Sequence, residues 1–118
     1  MAVVERAGVA PGHRVLILGG GGGVGTMAIQ FARKAGAAYI AVTSTDAPLM
    51  RSLGVDRTIN HNTDDVWQVP EFATQPFDVI IDGAVGVQAW RRARSSGVLK
   101  RRGTFVAVVL QTCDLLLT

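Results

Sequence analysis

The chain has 118 residues, enough for one domain with a core of its own. Hydrophobic residues make up 48% and charged residues 18%, which excludes a disordered chain, and no apolar run is long enough for a membrane span. The net charge of +3 is too mild to imply a nucleic-acid partner, and the single cysteine, Cys113, excludes an intrachain disulfide.

The opening "MAVVERAGVAPG" carries Glu5 and Arg6 where a secretory signal needs an unbroken apolar stretch. An intracellular setting is therefore expected, cytoplasm and mitochondrion being equally compatible. Residues 15–18 are a continuous apolar run ending in glycine, the pattern of a strand buried on both faces. Five glycines follow. Val24, Met27, Ala28, Phe31, Ala32 and Ala35 then recur at helical spacing, and Gly36 ends the helix. "AAYIAVTS" is a second strand, "APLMRSLG" a short helix closed by Gly54, and "DRTIN" a third strand. "TDDVWQVPEFA" holds a helical turn stopped near Pro70. "FDVIIDG" is a fourth strand, "VQAWRRARSSGVL" a helix and "GTFVAVVL" a fifth strand. Strand and helix alternate throughout, so the expected fold is α/β, a doubly wound parallel sheet of about five strands.

Gly20, Gly22 and Gly25 fit GxGxxG between a strand and a helix. The first glycine permits a tight turn, the second lets a pyrophosphate approach the backbone, and the third lets helix and strand pack closely. The first helical N–H groups, near residues 24–27, would face the phosphates with the positive end of the helix dipole behind them. A flexible glycine linker is the plain alternative, but a linker needs neither a buried strand before it nor an amphipathic helix after it. No Gly-Lys-Ser/Thr follows, which excludes a P-loop. Ser44 stands 19 residues after Gly25, where an acid would select NAD. A hydroxyl leaves room for a 2′-phosphate and leans towards NADP. Ser44 and Thr45 could equally start a turn or cap the next helix. Asp46 works against the lean, and Arg51, Arg57 and His61 are the nearest candidates for a cation.

"AGVAPGHRVLILGGGGGVGTMAIQFARKAGA", "SLGVDRTINH" and "FDVIIDGAVG" together resemble the cofactor domain of medium-chain dehydrogenases/reductases. The likeness is best to zinc-independent, quinone oxidoreductase-like members, the reticulon-interacting mitochondrial branch above all. It implies an NADPH-binding Rossmann domain over 13–110, preceded by the end of a linker helix and turn (1–12) and followed by an unassigned tail (111–118). Gly22, Gly23, Val24 and Gly25 would line the pyrophosphate, with Ser44 and Thr45 at the adenosine ribose. His61 holds the place of a tyrosine that touches the adenosine phosphate in many such reductases. Gly83 and Ala84 match a turn beneath the cofactor, and Val109 lies in the approach to the nicotinamide. The implied activity is hydride transfer from NADPH, with NADH less suited, to an enone, quinone or other carbonyl compound. The GroES-like domain that walls the substrate side in that family is expected to be absent from this chain, and the sixth strand is expected to be missing. Substrate would then be turned over only with such a domain supplied. The alternative is a non-catalytic Rossmann module binding a nucleotide or a protein partner.

No residue stands out as a catalytic acid or base. His13, His61 and Cys113 lack metal-ligand spacing, and Cys113 reads as a small apolar filler. Six of the twelve basic residues fall between 91 and 102, Arg92 and Arg94 among them; a solvated helix face accounts for them without nucleic acid, and Trp90 packs on the sheet. Asp78 and Asp82 bracket a strand, too far apart to share a proton. The unpaired edge of the fifth strand invites a homodimer.

Overall fold

Along β1 (Arg14–Leu18), Val15 and Ile17 face one layer while Leu16 and Leu18 face the other, and none of the four is more than 2% exposed. A strand covered on both sides lies at the centre of a sheet. The computed structural model describes residues 7–83, 87–110 and 114–117. β1 pairs in parallel with β2 (Tyr39–Thr43) on one side and β4 (Phe77–Asp82) on the other. β3 (Arg57–Ile59) lies outside β2, and β5 (Leu99–Leu110) outside β4, again in parallel. The order is β3-β2-β1-β4-β5, with β6 (Asp114–Leu117) beyond. The chain crosses from β3 over to β4, so the winding reverses between β1 and β4. Doubly wound sheets receive ligands at the carboxyl ends of their strands at that reversal.

Each face has its own core. Val15, Ile17, Val42, Val79 and Ile81 meet α1 (Gly23–Lys34) and Met50 of α2 (Ala47–Ser52). Leu16, Leu18, Ile80 and Phe105 meet Phe72 of α3 (Pro70–Thr74) and Ala89 and Ala93 of α4 (Val87–Ser96). In α1 the small residues Gly25, Ala28 and Ala32 are buried with Ile29, which lets the helix lie close to the sheet. The buried stripe runs through 25, 28, 29 and 32, and Met27, which the expected stripe included, is 45% exposed. The helix ends as expected at Gly36, whose φ is +93°: Ala37 N–H reaches Ala32 O and Gly36 N–H reaches Arg33 O. Trp90 packs edge-on against Phe105 at 5.5 Å, as expected.

Three expectations change. The helical turn expected before Pro70 is there, a 3₁₀ turn at Val66–Gln68, but Pro70 also opens a further helix, α3: its missing N–H costs nothing at the first helical position. β5 begins at Leu99, ahead of the glycine, because the ladder to β4 slips: Phe77 stands opposite Leu99, yet Val79 stands opposite Thr104. The sixth strand is present, though antiparallel: Asp114–Leu117 of the tail pairs with 107–110 of β5. That part of the β5 edge is therefore covered.

At the amino ends of the strands Asp78 is a tie. Its Oδ2 accepts from Arg14 N–H and its Oδ1 from Lys100 Nζ, both at 2.8 Å, joining β1, β4 and β5. Burial pushes the carboxyl pKa up, but the Arg14 N–H, the hydrogen bond and charge of Lys100, and His13 together hold it below the usual carboxylate value. Asp78 and Asp82 do bracket β4, at its amino and carboxyl ends.

Candidate functional site

The glycine turn sits at the carboxyl end of β1 and is tied to β2 by one threonine. Gly19 N–H donates to Thr43 Oγ1 and Gly20 N–H to Thr43 O, each at 2.8 Å. Gly19 has φ +83°, a backbone that side chains disfavour. A Cβ on Gly20 would lie 2.9 Å from both Val42 Cβ and Met50 Sδ. A Cβ on Gly25 would lie 2.2 Å from Gly19 O and 2.6 Å from Gly20 Cα, so helix and turn meet there with no room for a side chain. Gly22 and Gly23 differ: a Cβ on Gly22 would have nothing nearer than Gly19 O at 3.9 Å, and one on Gly23 would meet nothing within 4 Å. Both are exposed, and neither has a positive φ.

Gly22 caps α1 with no side-chain hydrogen bond, and the first turn holds no acid. The N–H groups that open a helix have no intrahelical acceptor, so Gly23, Val24 and Gly25 present donors and a positive dipole end. Gly83 N–H donates to Leu18 O at 3.1 Å, closing the β1–β4 reversal beside Val24. Ala84 lies outside the described residues, as does Cys113. Val109 is on β5 opposite Leu115, its side chain outside the described residues.

Ser44 is buried; its N–H donates to Ile59 O at 3.0 Å, and its Oγ accepts from Asp46 N–H at 3.0 Å. Asp46 caps α2, its Oδ1 accepting from Leu49 N–H. The turn-and-cap reading of Ser44 therefore holds, with Asp46 as the cap, while Thr45 is exposed beside it. Of the three candidates for a cation, Arg51 is exposed on α2. Arg57 is drawn off: at the amino end of β3 it pairs with Glu71 and lies over the Phe72 ring at 5.7 Å. His61 lines a cleft of about 690 Å³ with Leu18, Gly19 and Thr43, the loop 62–67 and Arg92.

Gly19, Thr43, the loop after β3 and Arg92 are additions to the sequence-derived set. Gly19 and Thr43 carried a signal, since Gly19 closes the first predicted strand and Thr43 stands one residue before the end of the second. Arg92 did not, since it belonged to a basic run that reads as solvated surface. Among the described residues, no helix is long and apolar enough to cross a membrane, and no group of three His, Cys, Asp or Glu could hold a metal.

The sequence pattern of a family described as "zinc-binding dehydrogenase" matches residues 23–113. Bovine "NAD(P)H oxidoreductase RTN4IP1, mitochondrial" is 43% identical over 81 residues, covering 67% of this chain and 20% of that protein. Tomato "2-methylene-furan-3-one reductase" is 38% identical over 82 residues, with the same coverages of 67% and 20%. A putative zinc-binding dehydrogenase from Sinorhizobium meliloti, solved bound to NADP, superposes with a TM-score of 0.72 at 29% identity, over 88% of this chain and 32% of that one. The chain thus spans about a fifth of the length of these curated relatives. It belongs to the zinc-binding dehydrogenase family of the medium-chain dehydrogenase/reductase superfamily, and it carries that family's NAD(P)-binding Rossmann domain.

Proposed function

We propose that the glycine turn and the cleft beside it hold NADPH, as the cofactor half of a reductase acting on an enone, quinone or related carbonyl compound. The observation that carries this is the pair Gly22 and Gly23. The fold has space for a side chain at both and asks neither for a positive φ, so bare backbone there is suited to a pyrophosphate. Gly20, Gly22, Gly23, Val24 and Gly25 hold the phosphates through the opening N–H groups of α1. Ser44, Thr45 and His61 face the adenosine end, where neutral hydroxyls leave room for a 2′-phosphate. Asp46, held at its own helix end by Leu49, is the one nearby acid of the β2–α2 turn. Gly83 and Ala84 pass under the dinucleotide, and Val109 lies towards the nicotinamide. The solved relative's bound NADP and the tomato relative's enone name support the choice of cofactor and substrate class.

When bound, the cofactor supplies a hydride; this chain's own residues bind and orient it. We include in the proposal zinc independence and an intracellular location, the latter in keeping with the mitochondrial name of the bovine relative. Pairing of two copies is proposed at β6, the strand at the end of the sheet order. Calorimetric titration with NADPH and NADH tests the reading. Tighter binding of NADPH is expected. Tighter binding of NADH would remove the NADP assignment, and binding of neither by a folded chain would leave a Rossmann module with some other partner.

A further inference from the structure

Arg92 stands apart from the rest of the basic run because it lines the cleft. Its Nη2 donates to Asp65 Oδ2 at 2.5 Å, joining α4 to the loop after β3. Asp65 is fixed in turn, its Oδ1 accepting from Trp67 N–H at 3.0 Å as the cap of the 3₁₀ turn. Leu18, Val66 and Trp67 line the same cleft, along with the polar residues of the loop 61–64. The cleft therefore combines apolar side chains with a guanidinium that a carboxylate fixes.

We propose that the Arg92–Asp65 pair is the outer wall of the base-binding end of the cleft, and that Arg92 packs its guanidinium plane on the face of an adenine ring. This rests on the reading of the cleft as a dinucleotide site. A guanidinium is planar and weakly hydrated, and it stacks on nucleobases. A carboxylate bound at its edge fixes the plane and leaves the faces free. The pairing also offsets the charge of Arg92, which favours an uncharged base over a phosphate as its contact. Both partners are partly exposed, at 49% and 35%, so the pair adds little to folding and can be removed cleanly.

The test is calorimetric titration of the full chain with AMP, 2′,5′-ADP, NADPH and reduced nicotinamide mononucleotide, with melting curves recorded alongside. Arg92→Ala should weaken AMP, 2′,5′-ADP and NADPH by one common factor of about ten, the range of one lost base-stacking contact. It should leave the mononucleotide unchanged. Arg92→Lys should lose nearly as much, since an ammonium has no plane to stack. Asp65→Asn keeps the cap acceptor and should lose less. A loss confined to 2′,5′-ADP and NADPH would make Arg92 a phosphate reader and overturn the proposal. An equal loss for all four ligands with a lowered melting temperature would make its role structural, and no loss would remove it from the site; either overturns the proposal. Wild-type chain that is folded but binds no adenine ligand overturns the dinucleotide reading itself, a result distinct from an unaffected variant.

Discussion

Five consecutive glycines look alike in a sequence and are unlike in the structure. Gly19 is there for its positive φ, and Gly20 for the close approach of Val42 and Met50. Gly25, beyond the run, lets α1 touch the turn. Gly22 and Gly23 have no such duty, and this separates two substitutions. Gly22 has φ −83° and ψ 174°, an extended backbone that valine adopts readily. Gly22→Val should cost only about 1 kcal/mol through the weaker helix cap and should abolish dinucleotide binding. Gly25→Val must displace main chain at Gly19 and Gly20, and should cost about 3 kcal/mol, the upper range for overpacking. Circular dichroism with temperature and a titration on each variant check both. If Gly22→Val binds like the wild type, the pyrophosphate does not rest on this turn.

Between elements, the carboxyl ends of the strands are organised by Thr43 and the amino ends by Asp78. Because the native carboxyl of Asp78 sits below its usual value, its contribution is complete above the unfolded pKa of about 4 and is lost as pH falls through the native one. Asp78→Asn should therefore destabilise the chain by about 1–2 kcal/mol near neutrality, with the gap to wild type closing towards pH 2 in urea melts. A gap that stays constant with pH would mean that the loss comes from the changed hydrogen bonding of the amide and not from the carboxylate's charge. The order of elements was legible because buried strands end in glycine and the first helix repeats small apolar residues. Pro70 and the start of β5 were not, since a proline can open a helix as well as stop one, and a slipped ladder leaves no period to read. β6 was missed because "DLLLT" has neither alternation nor a turn signal before it. In the site, the glycines and Ser44 stood at recognisable offsets from strand ends. The role of Arg92 came from Asp65, 27 residues earlier, and no local pattern joins two residues that meet only through the fold.

At the scale of the whole molecule, the proposed function gives this chain one side of a reaction site. Reduction needs the carbonyl carbon held against the nicotinamide in near-attack geometry with water excluded. The cleft lies at the β2–β3 side of the reversal, where the adenosine end is proposed; among the described residues, none of β5 lines it. In the family this chain resembles, the opposite wall belongs to a GroES-like domain, and the chain spans only 20% of the tomato and bovine relatives. Binding and turnover should therefore separate. The 118-residue chain should bind NADPH weakly and should oxidise it in the presence of an added enone or quinone no faster than the Gly22→Val variant does, as followed by NADPH absorbance. Adding the remaining length of such a relative, fused or in trans, should raise the rate only in a chain that still binds the cofactor. Sedimentation at several concentrations must accompany the assay, because the terminal β6 strand offers a second copy a place to pair. A monomer that turns over an enone well above the Gly22→Val control would show that these residues alone complete a reductase.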